Sequence, residues 1–140
     1  MKKDKVIALI LVVCVLSVLF YISRRRNSSL AKNLAYSHGI VKKIDFHYKD
    51  PGIRFTFIFL CSNGESLENI SFLNCRLSKI EILRTLFANK EMPLIIDSTN
   101  CDDSFLLLSS KLVKQFRVEK MLSRSDLILI ESIDSVCCNY

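Results

Sequence analysis

The side chains able to hold a metal or attack a substrate are His38, His47, Cys61, Cys75, Cys101, Cys137 and Cys138. A tetrahedral zinc site takes four such ligands, so the pool is large enough. The spacing prepares no site: no Cys-x-x-Cys or His-x-x-x-His pair brings two ligands together in advance. Cys61 stands in an apolar strand pattern, where a thiol packs as a small hydrophobe. A cysteine nucleophile needs a base beside it, and His47, on the polar face of an expected strand, is the candidate. Asp97, Asp102 and Asp103 form an acidic stretch without the alternating oxygens and glycine of a calcium loop, so it reads as a solvated turn. No Gly-x-Ser-x-Gly or His-Glu-x-x-His motif occurs, and three glycines in the whole chain argue against a phosphate cradle. No catalytic, cofactor-binding or metal-ligating residue is assigned on this basis. The expectation is a non-enzymatic accessory or interaction module, and the alternative is a thiol- or metal-dependent enzyme tethered to a membrane.

The net charge of +6 invites a nucleic-acid partner. Its location argues otherwise. Residues 1–32 hold seven Lys or Arg and one acid, Asp4, while residues 33–140 hold thirteen basic and thirteen acidic side chains. The excess belongs to the flanks of an apolar segment, where basic residues meet anionic headgroups, and the rest lacks the positive field that phosphate binding needs. No nucleic-acid partner is expected.

That segment is Val6 to Ile22, seventeen residues without a charge, preceded by Lys2, Lys3 and Lys5 and followed by Arg24, Arg25 and Arg26. As a helix it is about 26 Å long, close to a ~30 Å hydrocarbon core, with the flanking Lys and Arg able to snorkel. A single membrane span is expected, with the bilayer as its partner through Val6 to Ile22. A cleavable signal peptide needs small residues after the apolar core, whereas Phe20, Tyr21, Ile22, Ser23 and Arg24 are bulky and then basic. Leu11, Val12, Val13 and Cys14 resemble a lipoprotein box, but Val13 stands where a small residue belongs. The acid-free Arg24 to Arg26 block, weighed against Lys2, Lys3, Lys5 and the amino terminus, leads to the expectation that the following domain lies in the cytoplasm. An odd set of five later cysteines, with Cys137 and Cys138 adjacent, reads as reduced thiols and agrees with that side.

Polar residues from Asn27 suggest a polar stalk or a frayed helical extension over 27–38. From Gly39, the alternation of Ile40, Ile44, Phe46 and Tyr48 predicts a first strand. Pro51 and Gly52 make a turn, Pro presetting φ and Gly supplying a left-handed position. Ile53 to Cys61 predicts a buried central strand, with Ile53, Phe55, Phe57, Phe59 and Cys61 on one face. Asn63-Gly64 signals a hairpin into a third strand, Ser66 to Leu73. Ser78 and Glu81 have capping-box spacing ahead of a helix ending near Asn89. Leu94 to Ile96 and Phe105 to Leu108 predict the fourth and fifth strands, separated by a polar loop from Asp97 to Ser104. Lys111 to Phe116 predicts a short helix, and Leu127 to Ile130 stays open between strand and helix.

This order of anchor, basic stop, Gly39-led strand, aromatic strand, Asn63-Gly64 turn, short helix and Pro93-Leu94-Ile95-Ile96-Asp97 resembles small single-pass bacterial membrane proteins carrying an uncharacterised β-rich domain. The likeness runs from Gly39 to Leu108. It departs from their pattern at Cys101, Asp102 and Asp103, where those proteins carry a proline. The resemblance implies a fold and a membrane setting and transfers no activity. The fold class expected is α+β: one N-terminal transmembrane helix (residues 1–26 with its flanks), the stalk, and a small antiparallel meander closing partly on itself over residues 39–140, with one or two short helices.

Overall fold

The structure is a computed structural model that describes the backbone of residues 2–138 and the side chains of residues 6–25 and 32–137. Helix α1, Lys2–Lys32, is one uninterrupted element of 31 residues without Gly or Pro. Its stretch Val6–Arg25 has a mean hydropathy of 3.0 and is long and apolar enough to cross a membrane. None of that stretch is buried, so it is not a core helix. Within it, the Ser17 hydroxyl donates to the Val13 carbonyl at 2.8 Å, pairing the hydroxyl inside the helix.

Of the two alternatives for 27–38, the first part of the segment is a helical extension and the last part is strand. The helix continues to Lys32, and after Asn33 the chain enters strand β1, Leu34–Asp45. The Ser98 amide takes the Asn33 carbonyl at 2.8 Å and fixes this junction. Ser37 and His38, at the end of the expected stalk, become half-buried positions of β1 because its neighbour β4, Glu91–Asp97, pairs along Leu34 to Ile40.

Strands β2 (Ile53–Leu60) and β3 (Ser66–Leu73) complete the meander, and β5 (Asn100–Leu106) pairs with β4. The sheet order is β3-β2-β1-β4-β5, with every neighbouring pair antiparallel. An odd number of strands linked in this way can close only with its two edges parallel. The edges meet so: Asn69 of β3 donates to the Ser104 hydroxyl at 2.7 Å and to the Asp102 carbonyl at 2.9 Å, and further along Ser71 accepts from the Leu106 amide at 3.0 Å. The result is a five-stranded antiparallel sheet that nearly closes into a barrel. That architecture alone says nothing about ligand.

The alternation expected for β2 is observed: Ile53, Phe55, Phe57 and Phe59 point into the barrel and are buried, and Cys61 follows them. The expected alternation in β1 fails because Lys42 is an extra residue, bulged between the pairs Val41–Phe57 and Lys43–Thr56. The bulge puts both Val41 and Ile44 inside and leaves Ile40, Phe46 and Tyr48 exposed, the last two beyond the strand. Gly64 takes the left-handed conformation, φ 85°, that the Asn-Gly pair predicts. Gly52 does not take it; its hydrogen faces the Leu73 carbonyl, and a Cβ there would stand 2.4 Å from that oxygen. Close backbone approach is thus the reason for a glycine at 52.

Helix α2, Ile80–Phe87, follows a 3-10 turn over Leu77–Lys79 and closes one barrel end with buried Leu83 and Phe87. Ser78 lies inside the 3-10 turn and makes no cap, so the expected capping box does not form. Pro93 lies within β4 and does not precede it. The expected polar loop from Asp97 to Ser104 is a tight turn at Ser98 and Thr99, and the acidic residues after it belong to β5. Helix α3, Ser110–Phe116, is capped by Ser109, and the open assignment at Leu127 to Ile130 resolves into helix α4, Arg124–Cys138. These two helices cover the outside of β4 through a second core of Ile95, Leu107, Val113, Val118 and Ile130.

Candidate functional site

Antiparallel pairing sends the start of β1, the end of β2, the end of β4 and the start of β5 to one end of the barrel. Among the described residues the helix that closes a barrel end, α2, lies at the end opposite this mouth. Cys61, just after β2, and Cys101, in β5, are joined at the mouth by a disulfide with Cα atoms 6.0 Å apart. A second disulfide, Cys75–Cys137, ties the chain after β3 to the end of α4, Cα atoms 5.0 Å apart. The expected reduced thiols are therefore corrected: both pairs have ordinary disulfide separations, and Cys14 is the free cysteine among the described residues. The side chain of Cys138 lies outside them.

The Cys61–Cys101 bridge borders two clefts. One, of about 340 Å³, is lined by Ser62, Asn63 and Glu65 from the β2–β3 turn and by Ser98, Thr99, Asn100 and Asp102 from the β4–β5 hairpin. The other, of about 170 Å³, lies between Ala35, Tyr36 and Ser37 of β1 and Leu60, Cys61 and Ser62, with Ile96 and Ser98 behind. Hydroxyls and amides dominate the first. Its carboxylates are partly engaged: Asn63 donates to Glu65 at 2.9 Å, and the Asn63 side chain accepts from the Glu65 amide at 3.0 Å. A third cleft, of about 350 Å³, separates α3 from α4 and is walled by Val113, Leu127 and Ile130.

Beside the mouth, Tyr36 and His38 project from β1 onto the first turn of α4. The Tyr36 hydroxyl donates to Asp126 Oδ2 at 2.5 Å, and His38 Nε2 lies 3.0 Å from Asp126 Oδ1. The Ser123 amide and hydroxyl donate to the same carboxylate at 3.0 and 2.6 Å, and the Asp126 amide returns a bond to the Ser123 hydroxyl at 3.1 Å. Burial pushes the Asp126 carboxyl up, but the bonds from Ser123, Tyr36 and His38 outweigh it and bring the carboxyl to about 2. Burial and the Asp126 partner hold the Tyr36 phenol well above its ordinary value. Serine, histidine and aspartate meet here without forming a nucleophilic triad, because Ser123 bonds the carboxylate and not the imidazole. The cluster caps α4 and clamps it to β1.

His47 lies in the β1–β2 loop, at the barrel end opposite Cys61 and Cys101, stacked beside Tyr48 with centroids 4.5 Å apart. Asp97 is buried and engaged by the Thr99 amide and hydroxyl at 2.9 and 2.6 Å, while Asp103 meets Asn100 at 3.2 Å. Among the described residues no three His, Cys, Asp or Glu side chains converge as a metal site. The Tyr36–His38–Asp126 cluster was not among the expected sites. Ser123 and Asp126 have cap spacing, but their separation of about ninety residues from β1 leaves no pattern to link them.

No family model, curated protein or solved structure matches the chain.

Proposed function

We propose that the protein is a membrane-tethered, non-catalytic interaction module whose barrel stands on the oxidising side of the bilayer. The carrying observation is the pairing of four domain cysteines across 40 and 62 residues of chain. Such bridges persist outside the cytosol and are reduced within it. This reverses the cytoplasmic placement expected from the thiols. The charge count offers little resistance, because Lys2, Lys3, Lys5 and the amino terminus stand against Arg24, Arg25 and Arg26. Helix α1 then enters with its N-terminus on the cytoplasmic side. Its residues beyond Arg25 set the mouth roughly 10 Å above the span, at about 1.5 Å per residue. Support for an interaction role comes from the two clefts at that mouth and from the exposed apolar side chains Ile40 and Leu60 on the outside of β1 and β2.

The test uses the full chain in intact cells. An impermeant amine reagent should label domain lysines such as Lys49 without permeabilisation, and a maleimide-linked polymer should add to Cys61, Cys75, Cys101 and Cys137 only after reduction. Labelling that requires permeabilisation, or free thiols at those four positions before reduction, would overturn the placement. A thiol-dependent enzyme is the second reading, drawn from the position of Cys61–Cys101 beside both clefts. A mixed disulfide with a second protein trapped by Cys61→Ser would favour it.

A further inference from the structure

Beyond Gly39 the two neighbours of β1 part. The pairing with β2 ends at Gly39–Phe59, whereas the pairing with β4 runs on to Leu34–Asp97. Bonds on the β4 side fall on odd-numbered residues: the Asn33 carbonyl accepts from Ser98 at 2.8 Å, the Val41 amide donates to Lys90 at 3.0 Å, and the Val41 carbonyl accepts from Asn89 at 2.8 Å. Alternation along an antiparallel strand turns the N–H and C=O of Leu34 and Tyr36 to the other side. There, among the described residues, no strand pairs with them. What lies there is the 170 Å³ cleft, with Leu60, 65% exposed, on its far rim.

Open edges invite pairing with another chain, and proteins guard them with charges, prolines or bulges. The edges of β3 and β5 are so treated, carrying Glu68, Asp102 and Asp103 and meeting through Asn69 and Ser71. The segment Leu34-Ala35-Tyr36-Ser37-His38 has no Lys, Arg, Asp or Glu, no proline and no bulge. We propose that this edge binds an extended segment of another protein by strand addition, in the slot between β1 and the Leu60–Ser62 rim. Only an extended backbone presents acceptors and donors at the two-residue repeat that Leu34 and Tyr36 require. Its inward side chain enters the small cleft against Ala35, Ser37 and Ile96, which suits a small apolar residue, and its outward one packs on Leu60. This inference rests on the interaction-module reading and names the partner class for it.

The test takes the full chain in nanodiscs with its disulfides intact and pans it against displayed random nonapeptides. Enriched peptides should slow amide exchange at Leu34 and Tyr36 at least tenfold and leave Ala35 and Ser37, already bonded to β4, unchanged. Leu60→Asp, at an exposed position that leaves the fold intact, should weaken the same peptides at least tenfold. Peptides that bind without protecting Leu34 and Tyr36 would overturn the edge assignment and leave the module reading standing. Failure to enrich any peptide would count against both. Protection of Leu34 and Tyr36 that rises with protein concentration in the absence of peptide would assign the edge to a second copy and overturn the proposal.

Discussion

Reducing the two disulfides should remove most of the stability of the barrel. The bridges close loops of 40 and 62 residues, for which the loss of denatured-chain entropy amounts to about 4 kcal/mol each at 25 °C. The loops interleave, Cys75 lying between Cys61 and Cys101, so the second bridge constrains a chain already shortened by the first and the sum falls below twice that figure. A domain of this size has ~5–15 kcal/mol in total, so the reduced form is marginal or unfolded. With a urea slope of ~1–3 kcal/mol per molar, loss of one bridge should lower the midpoint by roughly 1.3–4 M. The assay is urea unfolding of the full chain in nanodiscs, followed by tyrosine fluorescence since the chain has no tryptophan, with and without reductant. The Cys61→Ala/Cys101→Ala and Cys75→Ala/Cys137→Ala pairs report each bridge alone. A shift under reductant worth less than about 1 kcal/mol would refute the loop-closure reasoning and remove the energetic case for an oxidising compartment.

Phe57→Ala should cost ~3–5 kcal/mol in the same assay, since Phe57 is fully buried at the centre of the barrel; a loss under about 1 kcal/mol would place it on a surface. Asp126 has a folded-state pKa of about 2, below that of the unfolded chain, so its stabilisation is present above pH ~4 and is lost as pH falls towards 2. Asp126→Asn should cost about 1–3 kcal/mol at pH 7 and flatten the stability profile between pH 4 and 2; an unchanged slope would deny it the clamping role. Gly52→Ala should destabilise by ~1–3 kcal/mol because its Cβ meets the Leu73 backbone oxygen, while Gly64→Ala should lose ~1 kcal/mol through its positive φ alone. A smaller loss at Gly52 than at Gly64 would contradict this distinction.

Where stabilising interactions are local and periodic, the sequence by itself determined the outcome. The long apolar N-terminal helix, the buried face of β2, the Asn63-Gly64 hairpin, β3 and α3 each follow from neighbouring residues: an apolar run, a period of two, a turn pair, a short helical period. Tertiary structure decided the rest. One bulged residue, Lys42, exchanged the faces of β1, and nothing local announces a bulge that is set by pairing with β2. The end of the supposed stalk became strand because β4, some sixty residues away, offered Leu34 to His38 a partner. The acidic stretch became strand because β5 had to reach β3 to close the barrel. Likewise the thiols looked unpaired because disulfide pairing is a matter of Cα distance, and Cys61 meets Cys101 only once two hairpins share one barrel end. The Tyr36–His38–Asp126 clamp and the open edge beside it arise where β1 outruns β2, a mismatch of strand lengths that exists only in the folded sheet.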